Sequence, residues 1–183
     1  YKEYFCFRTM SVIKKHGQIW VETVIYTLIG LTIIGLVLAT ALPKINEKKD
    51  KVVIEQSIIA LESIDSKIYE VLKAPGNRRV VNLEIKNGKL VIDMDKNTIS
   101  WIIDSSFQYS ETDVAIALGR INVTTKTGNP WKVELKLGYG VDIRYNNITS
   151  GTKELGVAPT PYKLMIENAG MDNGNIVIEL NNV

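Results

Sequence analysis

The sequence predicts an α+β protein, with a long hydrophobic N-terminal α-helix followed by an antiparallel, β-rich head that is sandwich-like. Three observations predict it: twenty consecutive uncharged residues from Thr23 to Leu42, an apolar stripe of helical period after them, and many short strand-like segments in the remainder. We therefore divide the 183 residues into an N-terminal stretch, an apolar helix, an amphipathic continuation of that helix and a head, at residues 1–17, 18–42, 43–74 and 75–183.

The uncharged run is long enough to span a membrane. Eleven of its twenty residues are Leu, Ile or Val, and at about 1.5 Å per residue it extends roughly 30 Å, the thickness of a bilayer core. The free energy of transferring these eleven side chains into the bilayer is roughly −5 kcal/mol. This exceeds the cost of about 2.5 to 3.5 kcal/mol for the nearby carboxylate of Glu22. The alternative, a buried core helix of a soluble protein, fits a run of this length less well.

The amphipathic continuation carries its apolar residues at helical spacing. Ile54, Leu61 and Ile68 lie seven residues apart, and this period predicts a stripe that packs on the head. A coiled-coil seam is the alternative, but Ser57 interrupts the stripe and it lasts under three heptads. Pro43 is expected to kink the helix or loosen one turn. Further members of the stripe are Ile58, Ile64, Val71 and Leu72.

The head begins where Ala74-Pro75-Gly76-Asn77 ends the helix. The segment VVNLEIKNGKLVIDM, residues 80–94, predicts a β-hairpin that turns at Asn87-Gly88. The alternating Ile99, Trp101 and Ile103 predict a strand, and residues 128–130 and 172–174 have turn composition. About eight to ten short strands in roughly 105 residues favour an antiparallel sandwich.

Composition excludes several classes of function. Residues 44–183 hold eighteen Lys or Arg and eighteen Asp or Glu, so no basic surface for nucleic acid is expected. Cys6 and His16 are the only Cys and His, and both precede Gly17. A chain cut after that glycine has no disulfide, no thiol or imidazole nucleophile and no ordinary zinc site. We expect no catalytic residue, metal site or cofactor, since P-loop and dinucleotide motifs are also absent.

One acidic segment imitates a calcium loop. Asp93-Met94-Asp95-Lys96-Asn97 begins like such a loop, and Asp104 falls at its twelfth position. The glycine required at the sixth position is replaced by Thr98. A strand, turn and strand is therefore the better interpretation.

The border before the apolar run has an unusual order. Lys14-Lys15-His16-Gly17 is followed by Gln18-Ile19-Trp20-Val21-Glu22 and then by the uncharged run. A secretory signal places its cleavage site after the apolar stretch, whereas here the candidate glycine comes first. The run would therefore be retained in the product.

This border resembles that of the archaeal type IV pilins, which carry a class III signal peptide. The resemblance covers about residues 14–75. It implies that residues 1–17 form a leader, with Met10 as a possible true start, and that a prepilin peptidase cuts between Gly17 and Gln18. The resemblance also implies that the peptidase recognises Lys14 and Lys15 on the cytoplasmic side.

The resemblance also assigns a role to Glu22, which becomes the fifth residue after cleavage. It implies that the new α-amine of Gln18 pairs with Glu22 of a neighbouring subunit in a dry filament core. The other interpretation is a hydrated carboxylate at headgroup depth. Gly35 and Ala39, four residues apart, would permit close approach of helices, although glycine is also simply common in membrane helices.

Two N-glycosylation sequons lie in the head, at Asn122-Val123-Thr124 and Asn147-Ile148-Thr149. Such triplets also arise by chance, and Asn147 lies in the more polar, loop-like context. The lysine counts on the two sides of the apolar run are nearly balanced, so the long head with its sequons decides the orientation and places the head outside.

Taken with the resemblance, these features predict a structural subunit of a surface filament, with helices in the core and heads outside. The expected partners are further copies of the chain, the prepilin peptidase with its assembly machinery, and membrane lipid before assembly. The expected location is a membrane-anchored precursor with an extracellular head, which then enters a filament. The alternatives are a minor, pilin-like anchored binding protein that does not polymerise alone, and an anchored surface enzyme.

Overall fold

A single long helix opens the structure, a computed structural model that describes the backbone of residues 12–183 and the side chains of residues 19–183. Helix α1 runs from Val12 to Leu72 and continues through Pro43. The chain forms two compact units, of which the first ends at Ile45 and the second is Asn46–Val183. We call residues 19–45 the apolar segment and Asn46–Val183 the head unit.

The head unit contains ten strands, and the predicted α+β fold class is confirmed. A four-stranded sheet has the order β1-β9-β10-β7 and a six-stranded sheet has the order β4-β5-β6-β3-β2-β8. All pairings are antiparallel except that of β10 with β7. The strands are β1 Arg78–Leu83, β2 Lys89–Asp93, β3 Thr98–Ser105, β4 Ala115–Leu118, β5 Ile121–Lys126, β6 Trp131–Gly138, β7 Asp142–Tyr145, β8 Thr152–Leu155, β9 Tyr162–Asp172 and β10 Asn175–Asn182.

The predicted apolar stripe of α1 forms part of the core of the head unit. Ile54, Leu61 and Ile68 are fully buried and belong to one hydrophobic cluster with residues of both sheets. Because the stripe is occupied in this way, the coiled-coil alternative is wrong. Strand β3 contributes Ile99, Trp101 and Ile103 to the same cluster, which confirms the predicted strand. Thr98 and Ser100 are also buried, so the first half of β3 is covered on both faces.

The end of α1 is fixed by a buried asparagine of β9. Asn168 is 2% exposed, and its Nδ2 donates to the Val71 carbonyl oxygen at 3.0 Å. Its own carbonyl accepts from the Gly76 N–H at 2.8 Å, and its N–H donates to the Asn77 carbonyl at 3.0 Å. Since the last carbonyls of a helix have no partner within the helix, Asn168 satisfies one of them and joins the helix end to the sheet.

The predicted hairpin at Asn87-Gly88 is wrong. Strand β1 pairs with β9 in one sheet, and β2 pairs with β3 and β8 in the other. A two-residue type I′ hairpin needs positive φ at both central residues, and of this pair Gly88 alone has it, at +76°. The Asn87 carbonyl instead accepts from Trp101 Nε1 at 3.1 Å. The segment is therefore a crossing between sheets.

The predicted turn at residues 172–174 is confirmed, and unlike Asn87-Gly88 it forms a hairpin. Asn173 and Gly174 both have positive φ, at 50° and 87°, and they join β9 directly to β10. The interpretation of residues 93–98 as strand, turn and strand is also confirmed, because β2 and β3 pair from Asp93 with Thr98 outward.

A three-membered ion cluster links the last turns of α1 to β1. Lys67 Nζ lies 2.8 Å from one carboxylate oxygen of Glu70, and Arg79 Nε lies 2.7 Å from the other. The hydrogen bonds from Lys67 and Arg79 are the main reason that the pKa of Glu70 is lowered from 4.5 to about 2. Because the folded pKa is depressed, the cluster stabilises the fold above pH 4.5, and that contribution is lost as the pH falls towards 2.

We predict that Glu70→Gln flattens the pH dependence of unfolding between about pH 4.5 and 2. The substitution removes the titration linked to folding while it preserves side-chain shape. The check is denaturant unfolding of the full chain in detergent at a series of pH values. Glu62→Gln, an exposed position on the same helix, is the control for loss of one negative charge. An unchanged slope in the Glu70 variant would contradict the role given to the cluster.

We also predict that Gly88→Ala destabilises the head unit far more than Gly119→Ala. Both glycines have positive φ, so alanine costs about 1 to 2 kcal/mol of backbone strain at either site. At Gly88, however, a Cβ would lie 2.1 Å from the Ile102 carbonyl oxygen, whereas at Gly119 it meets nothing within 4 Å. The check is the difference in unfolding free energy between the two variants. Equal losses would show that the close approach at Gly88 is unimportant.

Candidate functional site

The apolar segment exposes large hydrophobic side chains on every side. Their exposed fractions run from 38% at Val24 to 72% at Trp20. A helix that is hydrophobic all round needs a protein core or a membrane as its surroundings. The described residues contain one helix long and apolar enough to cross a membrane, and none of that stretch is buried within the chain. The exposed side chains are Ile19, Trp20, Val21, Val24, Ile25, Tyr26, Leu28, Ile29, Leu31, Ile33, Ile34, Leu36, Val37, Leu38, Leu42 and Ile45.

The threonine hydroxyls of the apolar segment are satisfied by the helix itself. Thr23 donates to the Ile19 carbonyl at 2.9 Å, and Thr32 donates to the Leu28 carbonyl at 2.7 Å. Thr27 and Thr40 make the same kind of bond to carbonyls three and four residues earlier. Polar groups in a dry environment must find partners within the protein. These hydroxyls therefore place no unpaired donor on the surface of the segment.

Glu22 is an exposed carboxylate among these apolar side chains. Within the part of the chain whose side chains are described, no hydrogen bond or ion pair to Glu22 is formed. Its predicted partner is the amine that cleavage would create on Gln18, and the Gln18 side chain lies outside the described ones. The pairing stays a prediction.

The predicted processing junction falls mostly outside the described residues. Residues 1–11, including Met10, are not described, and Lys14, Lys15 and Gly17 are described only as backbone within α1. Recognition by a peptidase and cleavage between Gly17 and Gln18 therefore stay predictions.

Small residues leave openings on the surface of the apolar segment. A Cβ placed on Gly30 or Gly35 would meet nothing within 4 Å, and Gly35 and Ala39 are both exposed. A neighbouring helix could approach the backbone closely at these positions. The surface predicted to contact another helix, at Gly35 and Ala39, is therefore not covered by other residues of the same chain.

Both sequon asparagines are exposed, in different surroundings. Asn122 lies in β5, in register with Ala117 of β4 and Lys136 of β6. Asn147 lies in a two-residue turn after β7, with φ of 63°, and its N–H donates to Glu179 Oε1 at 2.6 Å. Attachment of a glycan remains a prediction at both asparagines.

The polar side chains of the calcium-like segment are bonded within the turn and to two neighbouring segments of the head unit. Asp93 accepts from the Lys96 N–H at 3.0 Å and from Lys96 Nζ at 3.1 Å. Asp95 accepts from the Gly151 N–H at 3.0 Å, and Asn97 accepts from the Ile143 N–H at 2.8 Å. Among residues 19–183, no group of three or more His, Cys, Asp or Glu side chains is arranged to hold a metal ion.

A cluster around Arg120 was not predicted from the sequence. The Arg120 guanidinium lies 4.5 Å from the ring centre of Tyr69 on α1 and 5.6 Å from that of Tyr139 after β6. Tyr139 donates from its hydroxyl to Asp65 Oδ1 at 3.0 Å, and burial and Asp65 raise the pKa of Tyr139 well above its usual value. The contacts to α1 join residues 51 and 74 positions apart, and that between Arg120 and Tyr139 joins residues 19 apart, so no local pattern could reveal them.

The head unit also has a cleft of about 350 Å³ between α1 and the crossing after β1. Trp101 is 2% exposed there and its Nε1 is already bonded to Asn87. Throughout the described side chains, every buried polar side-chain atom has a hydrogen-bond partner, so the cleft offers a ligand no unpaired buried polar atom. The lining residues are Val53, Gln56, Ser57, Ala60, Asn82, Leu83, Glu84, Lys86, Asn87 and Trp101.

No protein-family model, curated protein or solved structure matches this chain. Function must therefore be argued from the exposed apolar segment and the surfaces of the head unit.

Proposed function

We propose that the chain is the structural subunit of an archaeal type IV pilus-like surface filament, used in adhesion or other cell-surface contact. The observation that carries the proposal is the exposure of large apolar side chains around the whole apolar segment. At about 25 cal/mol per Å², such a surface in water is a large free-energy cost that must be removed by lipid or by other protein.

Two environments can remove that cost in succession. A bilayer covers the segment of the precursor, since its length and composition suit a membrane span. Packing of identical helices covers it in a filament, where the exposed Gly35 and Ala39 permit close approach. The hydroxyls already bonded within the helix fit either dry environment.

Glu22 favours assembly over simple anchoring. A carboxylate adds nothing to insertion and opposes it, whereas in a dry helical core it pairs with a cation and fixes the axial position of its neighbour. An amine on Gln18 would supply that cation after cleavage. The same pairing would make every contact head-to-tail, and contacts of that kind propagate as an open helix.

The head units would form the outer sheath, with their exposed sequon asparagines on the outside. We assign no catalytic role to them. The alternative is a minor, pilin-like membrane-anchored protein that displays its head for binding and does not polymerise alone. The cleft beside Trp101 is the feature that favours this alternative, although none of its buried polar atoms awaits a partner.

We predict that the chain forms surface filaments in an archaeal host that supplies a class III prepilin peptidase and a pilus assembly machinery, but no other pilin. Glu22→Gln is expected to abolish these filaments or strongly reduce their number, because it removes the negative charge that pairs with the Gln18 amine. The measurement is electron microscopy of whole cells together with blotting for the chain in the membrane.

The matched control is Glu84→Gln, an exposed carboxylate in the head unit. It should leave filament number unchanged. Normal filaments in the Glu22 variant would refute the pairing, and a chain that stays in the membrane without any filament would support the anchored binding protein instead.

A further inference from the structure

One hydroxyl of the apolar segment differs from the others in its bonding. The segment has five hydroxyl side chains, and the four that belong to threonines donate to carbonyls of the same helix. The fifth belongs to Tyr26, which is 69% exposed. Its hydroxyl makes no hydrogen bond to any atom that the structure describes. The four threonines are Thr23, Thr27, Thr32 and Thr40.

Glu22 lies on the same side of the helix, one turn before Tyr26. Residues four apart are neighbours on a helix surface, with about 5 to 6 Å between their Cβ atoms. Aromatic side chains on helices lean over the preceding turn, so the ring of Tyr26 extends towards Glu22. Glu22 is exposed and also has no partner among the described side chains. A free donor and a free acceptor therefore lie one turn apart.

Water serves both groups only while this face of the helix is exposed. In the proposed filament, neighbouring helices exclude that water, and an unpaired hydroxyl or carboxylate then becomes unfavourable. An ion pair offsets the loss of water only when further hydrogen bonds satisfy the remaining lone pairs of the carboxylate. Because a carboxylate has two oxygens that each accept hydrogen bonds, the Gln18 amine alone leaves acceptor sites of Glu22 open.

We propose that the Tyr26 hydroxyl donates a hydrogen bond to the Glu22 carboxylate of the same chain once neighbouring copies cover the apolar segment. Tyr26 is then a positioning residue, because it holds the carboxylate that the Gln18 amine of another copy must reach. This inference rests on the proposed filament and adds a second donor to the pair on which its assembly depends.

The other donors close to Glu22 in the chain are not placed to replace Tyr26. Trp20 is 72% exposed, but it lies two residues before Glu22, and residues two apart do not face each other on a helix. The hydroxyls of Thr23 and Thr27 already donate to carbonyls of the helix. Tyr26 is therefore the donor of this segment that can reach Glu22.

The test separates the hydroxyl of Tyr26 from its ring. Tyr26→Phe removes the hydroxyl alone, and Tyr26→Leu removes the hydroxyl and the ring but keeps the side chain apolar. Tyr26→Phe should lower the number of filaments per cell several-fold, and Tyr26→Leu should lower it at least as much. The measurement is electron microscopy of whole cells in the host described above, with blotting to confirm an unchanged amount of chain in the membrane.

Tyr69→Phe is the matched control. Tyr69 is 46% exposed on the helix of the head unit, and its hydroxyl makes no hydrogen bond within the described part of the chain. The substitution also removes one hydroxyl from an exposed ring of α1, but far from Glu22. It should leave filament number unchanged.

A second measurement tests whether Tyr26 acts through Glu22. Chains tagged at the C-terminus are expressed with an excess of untagged, unsubstituted chain, and the tagged fraction in sheared filaments is measured by blotting. Tyr26→Phe should lower that fraction several-fold. Added to Glu22→Leu, which removes the acceptor, it should cause no further loss. Losses that multiply would show that the hydroxyl acts independently of Glu22 and would overturn the inference.

The remaining outcomes separate this inference from the proposed function. Normal filaments from Tyr26→Phe with few from Tyr26→Leu would show that the ring acts by packing alone and would overturn the inference. Loss of the Tyr26→Phe chain from the membrane would also overturn it, because the hydroxyl would then act at the lipid headgroups. Absence of filaments from the unsubstituted chain would overturn the proposed function itself.

Discussion

The need to keep the apolar segment out of water is the constraint on which the rest of this structure depends. Its large side chains point in every direction around the helix, so no single surface of one folded chain can cover it. Its threonine hydroxyls are already bonded to carbonyls of the same helix. The segment is therefore suited to a dry environment that other molecules must provide, whether lipid or further copies of the chain.

In the head unit, by contrast, the same helix is partly covered by its own chain. There one face is buried among the strands and the other is exposed, and Asn168, Glu70 and Arg120 fix the helix to strands and turns by specific polar contacts. These contacts hold the exposed face of the helix in a defined position.

Patterns local in sequence predicted the fold well, and contacts between distant residues did not follow from them. The spacing of Ile54, Leu61 and Ile68 predicted a buried stripe, since helical period depends on neighbours only. The composition of Asn87-Gly88 predicted a hairpin that does not form. Strand β1 before it pairs with β9 and strand β2 after it pairs with β3, and this pairing overrides the local turn preference. The Arg120 cluster joins residues far apart in the chain, and its members carry no shared signal in the sequence.

The most direct measurement is the N-terminal sequence of the chain recovered when filaments are sheared from cells and collected without detergent. The account predicts that the chain is present in that fraction and begins at Gln18, with the apolar segment covered by neighbouring copies. A chain found only in the membrane, released only by detergent and still carrying residues before Gln18 would contradict it.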